Sequence, residues 1–310
     1  MLHLAIVLAV CTLAAQVSGN NLSVCTGAVI SSRIVSRWTG IWIAVAGYSL
    51  GLVVEGPAMR TGFAKLMPNS TDSLVLVALA TGIVIFVVAH LKRVPQSLSQ
   101  TFAAVILGIG AARHLAINRA FVFTMLAFWI CAPLASIVAI VFLMRVSRRI
   151  LGERSIWGTI RKIKASLLVL SFFAAFTLGA NTIGFVYAAI PYDPRTLVLV
   201  VLAIVVGSTR LSAGELRRVG NEIVAMRYIN AITAQFSSIA LIEAATLVGV
   251  PLSNSVVFTS GVFGAGFSYK HRLLTAKAAK TIAYAWLAMP VIGFLIGYVA
   301  AAILARHAFG

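Results

Sequence analysis

The sequence predicts an all-α polytopic membrane protein made of two inverted repeats of about five transmembrane segments each, with broken helices. Three observations carry that expectation. Of 310 residues, 61% are hydrophobic and only 10% charged, and the mean hydropathy is +1.02, whereas soluble domains carry about a quarter charged residues. The apolar residues lie in long unbroken runs, unlike the short alternating segments of transmembrane β-strands. A spaced set of Pro, Ser, Gly and Trp residues also recurs half a chain later.

The runs cover 2–17, 39–54, 73–91, 95–112 and 119–144, then 165–190, 196–211, 228–250, 251–267 and 282–304. The chain therefore divides into a first repeat over 1–144, a basic linker over 145–164 and a second repeat over 165–310. The first run lacks the Lys or Arg that opens a signal peptide and resumes after a polar break, so it reads as a retained, interrupted helix. The runs at 95–112 and 251–267 either span or re-enter, and the residues leave both open.

A net charge of +18 suggests nucleic acid, but its distribution points elsewhere. If 145–164 faces the cytoplasm, 19 of the 25 Lys and Arg residues fall on that side. This positive-inside bias places both termini outside, in the cell membrane, and leaves no role for nucleic acid. Cys11, Cys25 and Cys131 sit in apolar runs and read as small core residues. The sequon at Asn69 falls in an outside loop.

The repeat fixes the candidate site. Pro95, Ser97, Ser99, Gly108 and Gly110 recur as Pro251, Ser253, Ser255, Gly264 and Gly266, each 156 residues later, while Trp129 and Pro133 recur as Trp286 and Pro290 after 157. Upstream, Asn20 pairs with Asn181. Five crossings per half would invert the second half, the arrangement of many secondary transporters, whose substrates bind where the repeats meet. The stretch Ser18, Gly19, Asn20, Asn21, Leu22, Ser23 interrupts an apolar run, and Gly179, Ala180, Asn181, Thr182 does so again. Unwound backbone at membrane depth lines protein or a wet cavity, and the recurrence favours a site over an ordinary interhelical contact. Each Pro-x-Ser-x-Ser starts a helix, where hydroxyls, free N–H groups and the dipole attract an anion; the plainer reading makes the serines caps.

These positions give the candidate substrate residues Gly19, Asn20, Asn21, Ser23, Ser97, Ser99, Gly179, Asn181, Thr182, Ser253, Asn254 and Ser255. An intramembrane carboxylate signals function by default, which makes Glu243 a proton-coupling candidate; Asn20 and Asn181 are the other coupling-ion candidates. His90 and His114 lie near membrane edges. No Walker loop, metal-ligand spacing, intramembrane Asp pair or catalytic set is present, so no enzyme activity, metal or bound cofactor is expected.

The early signatures at Gly19–Asn21 and Gly179–Thr182 and the later ones at 95–100 and 251–255, with Val219–Ile223 and Gln235 between them, resemble the inorganic phosphate transporter (PiT) family over essentially the whole chain. The resemblance implies an inverted-repeat fold, outside termini and symport of phosphate with Na⁺ or H⁺. Family members usually carry Asp where this chain has Asn21 and Thr182. Losing both weakens Na⁺ coordination and suits sulfate, which has no proton to give and needs only donors; sulfate permeases are a branch of the family. The expectation is a symporter for phosphate working by alternating access in the lipid bilayer, as a monomer or homo-oligomer. A proton-coupled sulfate permease comes second, and a non-transporting membrane protein, a membrane enzyme or a channel stands as the alternative class.

Overall fold

The computed structural model describes residues 1–31, 33–92, 97–150, 156–212, 228–268 and 276–307. Pro95, Gln96, Glu153, Val219–Ile223, Glu215, Lys270 and Arg272 lie outside the described residues. All regular structure in the described part is helical. Its helices are α1 (Leu2–Ser31), α2 (Arg37–Val54), α3 (Met59–Leu66), α4 (Asp72–Leu91), α5 (Leu98–Ala112), α6 (Arg119–Ile150), α7 (Ile156–Leu178), α8 (Gly184–Tyr187), α9 (Pro194–Val206), α10 (Tyr228–Val248), α11 (Asn254–Ser268) and α12 (Ala276–His307). Two π-helical stretches, Gly179–Ile183 and Gly207–Leu211, extend α7 and α9.

Local chemistry sets several starts. Ser36 caps α2 by accepting from Thr39 N, and Asp193 caps α9 by accepting from Arg195 N and Thr196 N, with Pro194 in the first turn. Eight of the described helices are long and apolar enough to cross a bilayer. The protein is thus an integral membrane protein, with eight such helices among the described residues where the runs suggested ten. The difference lies in α5 and α11, each 15 residues. At 1.5 Å per residue they reach about 22 Å, short of the roughly 30 Å hydrocarbon core.

One further expectation needs correcting. The polar stretch 18–23 does not unwind: α1 runs unbroken from Leu2 to Ser31. Its side chains hold the backbone instead, Asn21 Nδ2 donating to Val17 O at 3.1 Å and Thr26 Oγ1 to Leu22 O at 3.0 Å. In the second half the α-helix is broken only into a π turn. The basic stretch 145–164 is also mostly helix, because α6 continues to Ile150 and α7 begins at Ile156. Arg and Lys are good helix formers and extend a helix past the apolar core.

The packing is reciprocal. Equating α1, α2, α4, α5 and α6 with α7, α9, α10, α11 and α12 gives most of the major contacts a mate, the packing of α1 on α2 being the exception. α1 meets α9 as α7 meets α2, α1 meets α4 as α7 meets α10, and α4 meets α12 as α10 meets α6. Most telling, α5 packs on α12 and α11 on α6, so each short helix leans on the long helix of the other half. The match extends to residues. A side chain at Gly108 would strike the Phe294 carbonyl, and one at Gly264 would strike Ile137, the residue equivalent to Phe294. Pro133 and Pro290 are each the fifteenth residue of a 32-residue helix. The outer helices α6 and α12 turn Phe123, Ile130, Val138, Leu287, Val291 and Leu295 outward, as lipid-facing surfaces require.

Candidate functional site

The starts of α5 and α11 are built alike. Ser97 Oγ accepts from Gln100 N at 3.3 Å and Ser253 Oγ from Val256 N at 3.2 Å. Each serine's carbonyl then takes the next amide, Thr101 N at 3.0 Å and Val257 N at 3.1 Å. Ser97 and Ser253 therefore act as caps. By helix geometry this leaves the N–H groups of Leu98 and Ser99, and of Asn254 and Ser255, without a partner in their own helices. Helix ends of this kind present free N–H groups and a positive dipole end, which favour an anion.

Two hydrogen bonds tie these ends to the early signatures, and each crosses between halves. Ser99 Oγ and Thr182 Oγ1 are 2.8 Å apart, and Ser255 Oγ donates to Asn21 Oδ1 at 3.0 Å. The two bonds are mates under the duplication. Asn21, Ser99 and Thr182 are buried, Ser255 partly so. The structure thus brings four of the expected residues together as two pairs, 83 and 234 positions apart in sequence.

The other candidates divide. Asn254 is buried and its Oδ1 accepts from Ser238 Oγ at 2.7 Å. Ser23 is buried on α1, and Asn20 is half-buried one residue before Asn21. Gly19 and Gly179 serve close helix approach: a Cβ at Gly179 would overlap the Tyr48 backbone, and one at Gly19 would lie 2.8 Å from Gly207 O. Asn181 is engaged with protein at both ends. Its Nδ2 donates to Thr246 Oγ1 at 3.0 Å and Val250 O at 2.9 Å, and its Oδ1 accepts from Leu252 N at 2.9 Å.

Trp129, which the repeat marked but to which no role was attached, donates its Nε1–H to Pro251 O at 2.9 Å. Glu243 lies one turn before Thr246, close enough to Glu55 at the end of α2 for the two carboxyls to interact; its nearness to an acid could not be read from spacing. Nearby, Tyr192 has its hydroxyl pushed up by burial and by Tyr187, against the pull of Arg60 stacked 5.2 Å over its ring. It stays a neutral hydroxyl at physiological pH.

The electrostatics of the interior are unusual. Among the described residues no Asp, Glu, Lys or Arg is fully buried, while Ser, Thr, Asn and Gln are buried in number. No group of three metal-ligand side chains occurs among them. An anion here would meet neutral donors and helix dipoles, with no fixed opposite charge. Buried acceptors also stand without donors: Gln100 Oε1 and Gln235 Oε1 have no hydrogen-bond partner.

A model of the phosphate transporter family matches residues 159–297. The likeness is to phosphate transporters. The chain is 24% identical over 232 residues to a protein of Methanocaldococcus jannaschii named as a phosphate permease, covering 74% of this chain and 76% of that one. It is 23% identical over 278 residues to the sulfate permease of Bacillus subtilis, covering 86% and 78%. Among solved structures, one described as the sodium-dependent phosphate transporter superposes with a TM-score of 0.81 at 15% identity, covering 98% of this chain and 99% of that one. The fold is thus that of a phosphate transporter. The phosphate transporter likeness spans both the early and later signatures of the second half.

Proposed function

We propose that the chain is a member of the phosphate transporter family, a symporter that carries inorganic phosphate through the cell membrane by alternating access. The observation that carries this reading is the pair of crossed hydrogen bonds, Ser99 with Thr182 and Asn21 with Ser255, at two helix starts. They join the halves at the point where an oxyanion would be gripped from both sides, and the reciprocal packing supports a pair of inverted repeats rocking about it.

Coupling follows from charge. Burying a multiply charged anion among neutral groups is costly unless an opposite charge enters with it. The unpartnered oxygens of Gln100 and Gln235 are hard ligands suited to Na⁺. Glu55 and Glu243 supply a second place for a cation, since two carboxylates in contact repel unless a proton or metal ion lies between them. Asn20 remains a coupling candidate, whereas Asn181 fits a positioning role.

Sulfate is the second reading, favoured because no acid is fully buried among the described residues to accept the proton of hydrogen phosphate. The deciding experiment is uptake of labelled phosphate and of labelled sulfate into proteoliposomes, under an imposed Na⁺ gradient and then a pH gradient. Na⁺-driven, saturable phosphate uptake is the expected result. Proton-driven sulfate uptake would make sulfate the substrate, and the absence of both would sink the transporter reading.

A further inference from the structure

The chain that leads into α11 is held by two side chains from different elements. Asn181, in the π turn after α7, takes Val250 O and Leu252 N. Trp129, on α6 of the first half, takes Pro251 O between them. Val250 N is itself bonded to Ala245 O at 2.8 Å, and proline has no N–H to offer. Every backbone polar group from Val250 N to Leu252 N is therefore matched, immediately before the Ser253 cap. Where this segment sits decides where the free N–H groups of Asn254 and Ser255 point.

We infer that Trp129 is a positioning residue for the anion site: with Asn181 it clamps the 250–252 segment and so aims the first turn of α11 at the substrate, without touching the ion. This rests on the proposed oxyanion transport. Two features favour positioning over mere packing. The indole is part-buried, with its ring against the core, and its N–H makes the one directed contact, to Pro251 O. It also comes from the half opposite to α11, so the clamp spans the interface that alternating access must move.

The test is Trp129→Phe, which keeps an aromatic ring and removes the N–H. Trp42→Phe, on the exposed face of α2, is the control. Two readouts are needed on the full-length protein: the phosphate and sulfate concentrations that half-saturate thermal stabilisation in detergent, and KM against maximal rate in proteoliposomes. The expected result is a rise of about tenfold in both the half-saturating concentration and the KM for Trp129→Phe, the scale of one lost hydrogen bond. The ligand-free melting temperature, the Na⁺ dependence and the maximal rate should stay close to wild type, and Trp42→Phe should change nothing. A lowered melting temperature with unchanged KM would overturn the inference and leave Trp129 a packing residue. If neither anion stabilises the wild type or is taken up, the transport reading fails first and the inference falls with it.

Discussion

At the scale of the residue, Asn21 and Thr182 stand where the resembling family usually has acids, and the structure gives both a hydroxyl partner from the opposite half. Ser255 donates to Asn21 Oδ1, a bond that a carboxylate would accept equally well. Asn21→Asp should therefore preserve the contact while adding an acceptor for the proton of hydrogen phosphate and a repulsive charge for sulfate. The phosphate-to-sulfate uptake ratio is expected to rise by about tenfold, the worth of one charge-assisted hydrogen bond. An unchanged ratio in competition uptake would show that Asn21 does not face the anion. Asn20 and Asn181, which looked equivalent to Asn21 in sequence, illustrate what spacing cannot give. Side chains one position apart on a helix point about 100° apart, so Thr182 meets Ser99 while Asn181 holds the 250–252 segment.

At the scale of the element, α5 and α11 are short helices whose starts matter more than their lengths. Each cap is worth about 1 kcal/mol, and removing Ser97 and Ser253 together should lower the melting temperature modestly. The larger effect should be on transport: Ser97→Ala with Ser253→Ala is expected to abolish uptake while the protein still inserts. Normal uptake by the double variant would remove the two helix starts from the site. The Pro-x-Ser-x-Ser pattern was legible as a pair of helix starts because Ser is a favoured N-cap, although Pro251 lies two residues before the Ser253 cap rather than in the first turn. The continuity of α1 was not legible, since a polar patch reads as a break unless its i−4 backbone bonds and cross-helix partners are known.

At the scale of the whole molecule, the crossed packing of α5 on α12 and of α11 on α6 means that neither half closes its own core. Gly108 and Gly264 permit these approaches, each lying against backbone of the opposite half. Replacing both by Leu should wedge the two interfaces apart, costing several kcal/mol by overpacking and giving a protein that elutes as aggregate from detergent. A monodisperse, transport-competent double variant would mean that the crossed contacts are dispensable. Either single change should act in part, because each glycine serves a different helix pair.

The sequence by itself determined the membrane class, the repeated spacing of Pro, Ser, Gly and Trp, the two helix starts and the absence of Asp from both early signatures. These follow from composition and from residues with fixed local preferences, which act without knowing their neighbours. Only the tertiary structure decided that α1 is continuous, that α5 and α11 fall short of a full crossing, and that Asn181 and Trp129 hold the 250–252 segment. It also decided that Asn21 meets Ser255 and Thr182 meets Ser99. Contacts between residues more than eighty positions apart depend on how the two halves interlock, and no local propensity encodes that register.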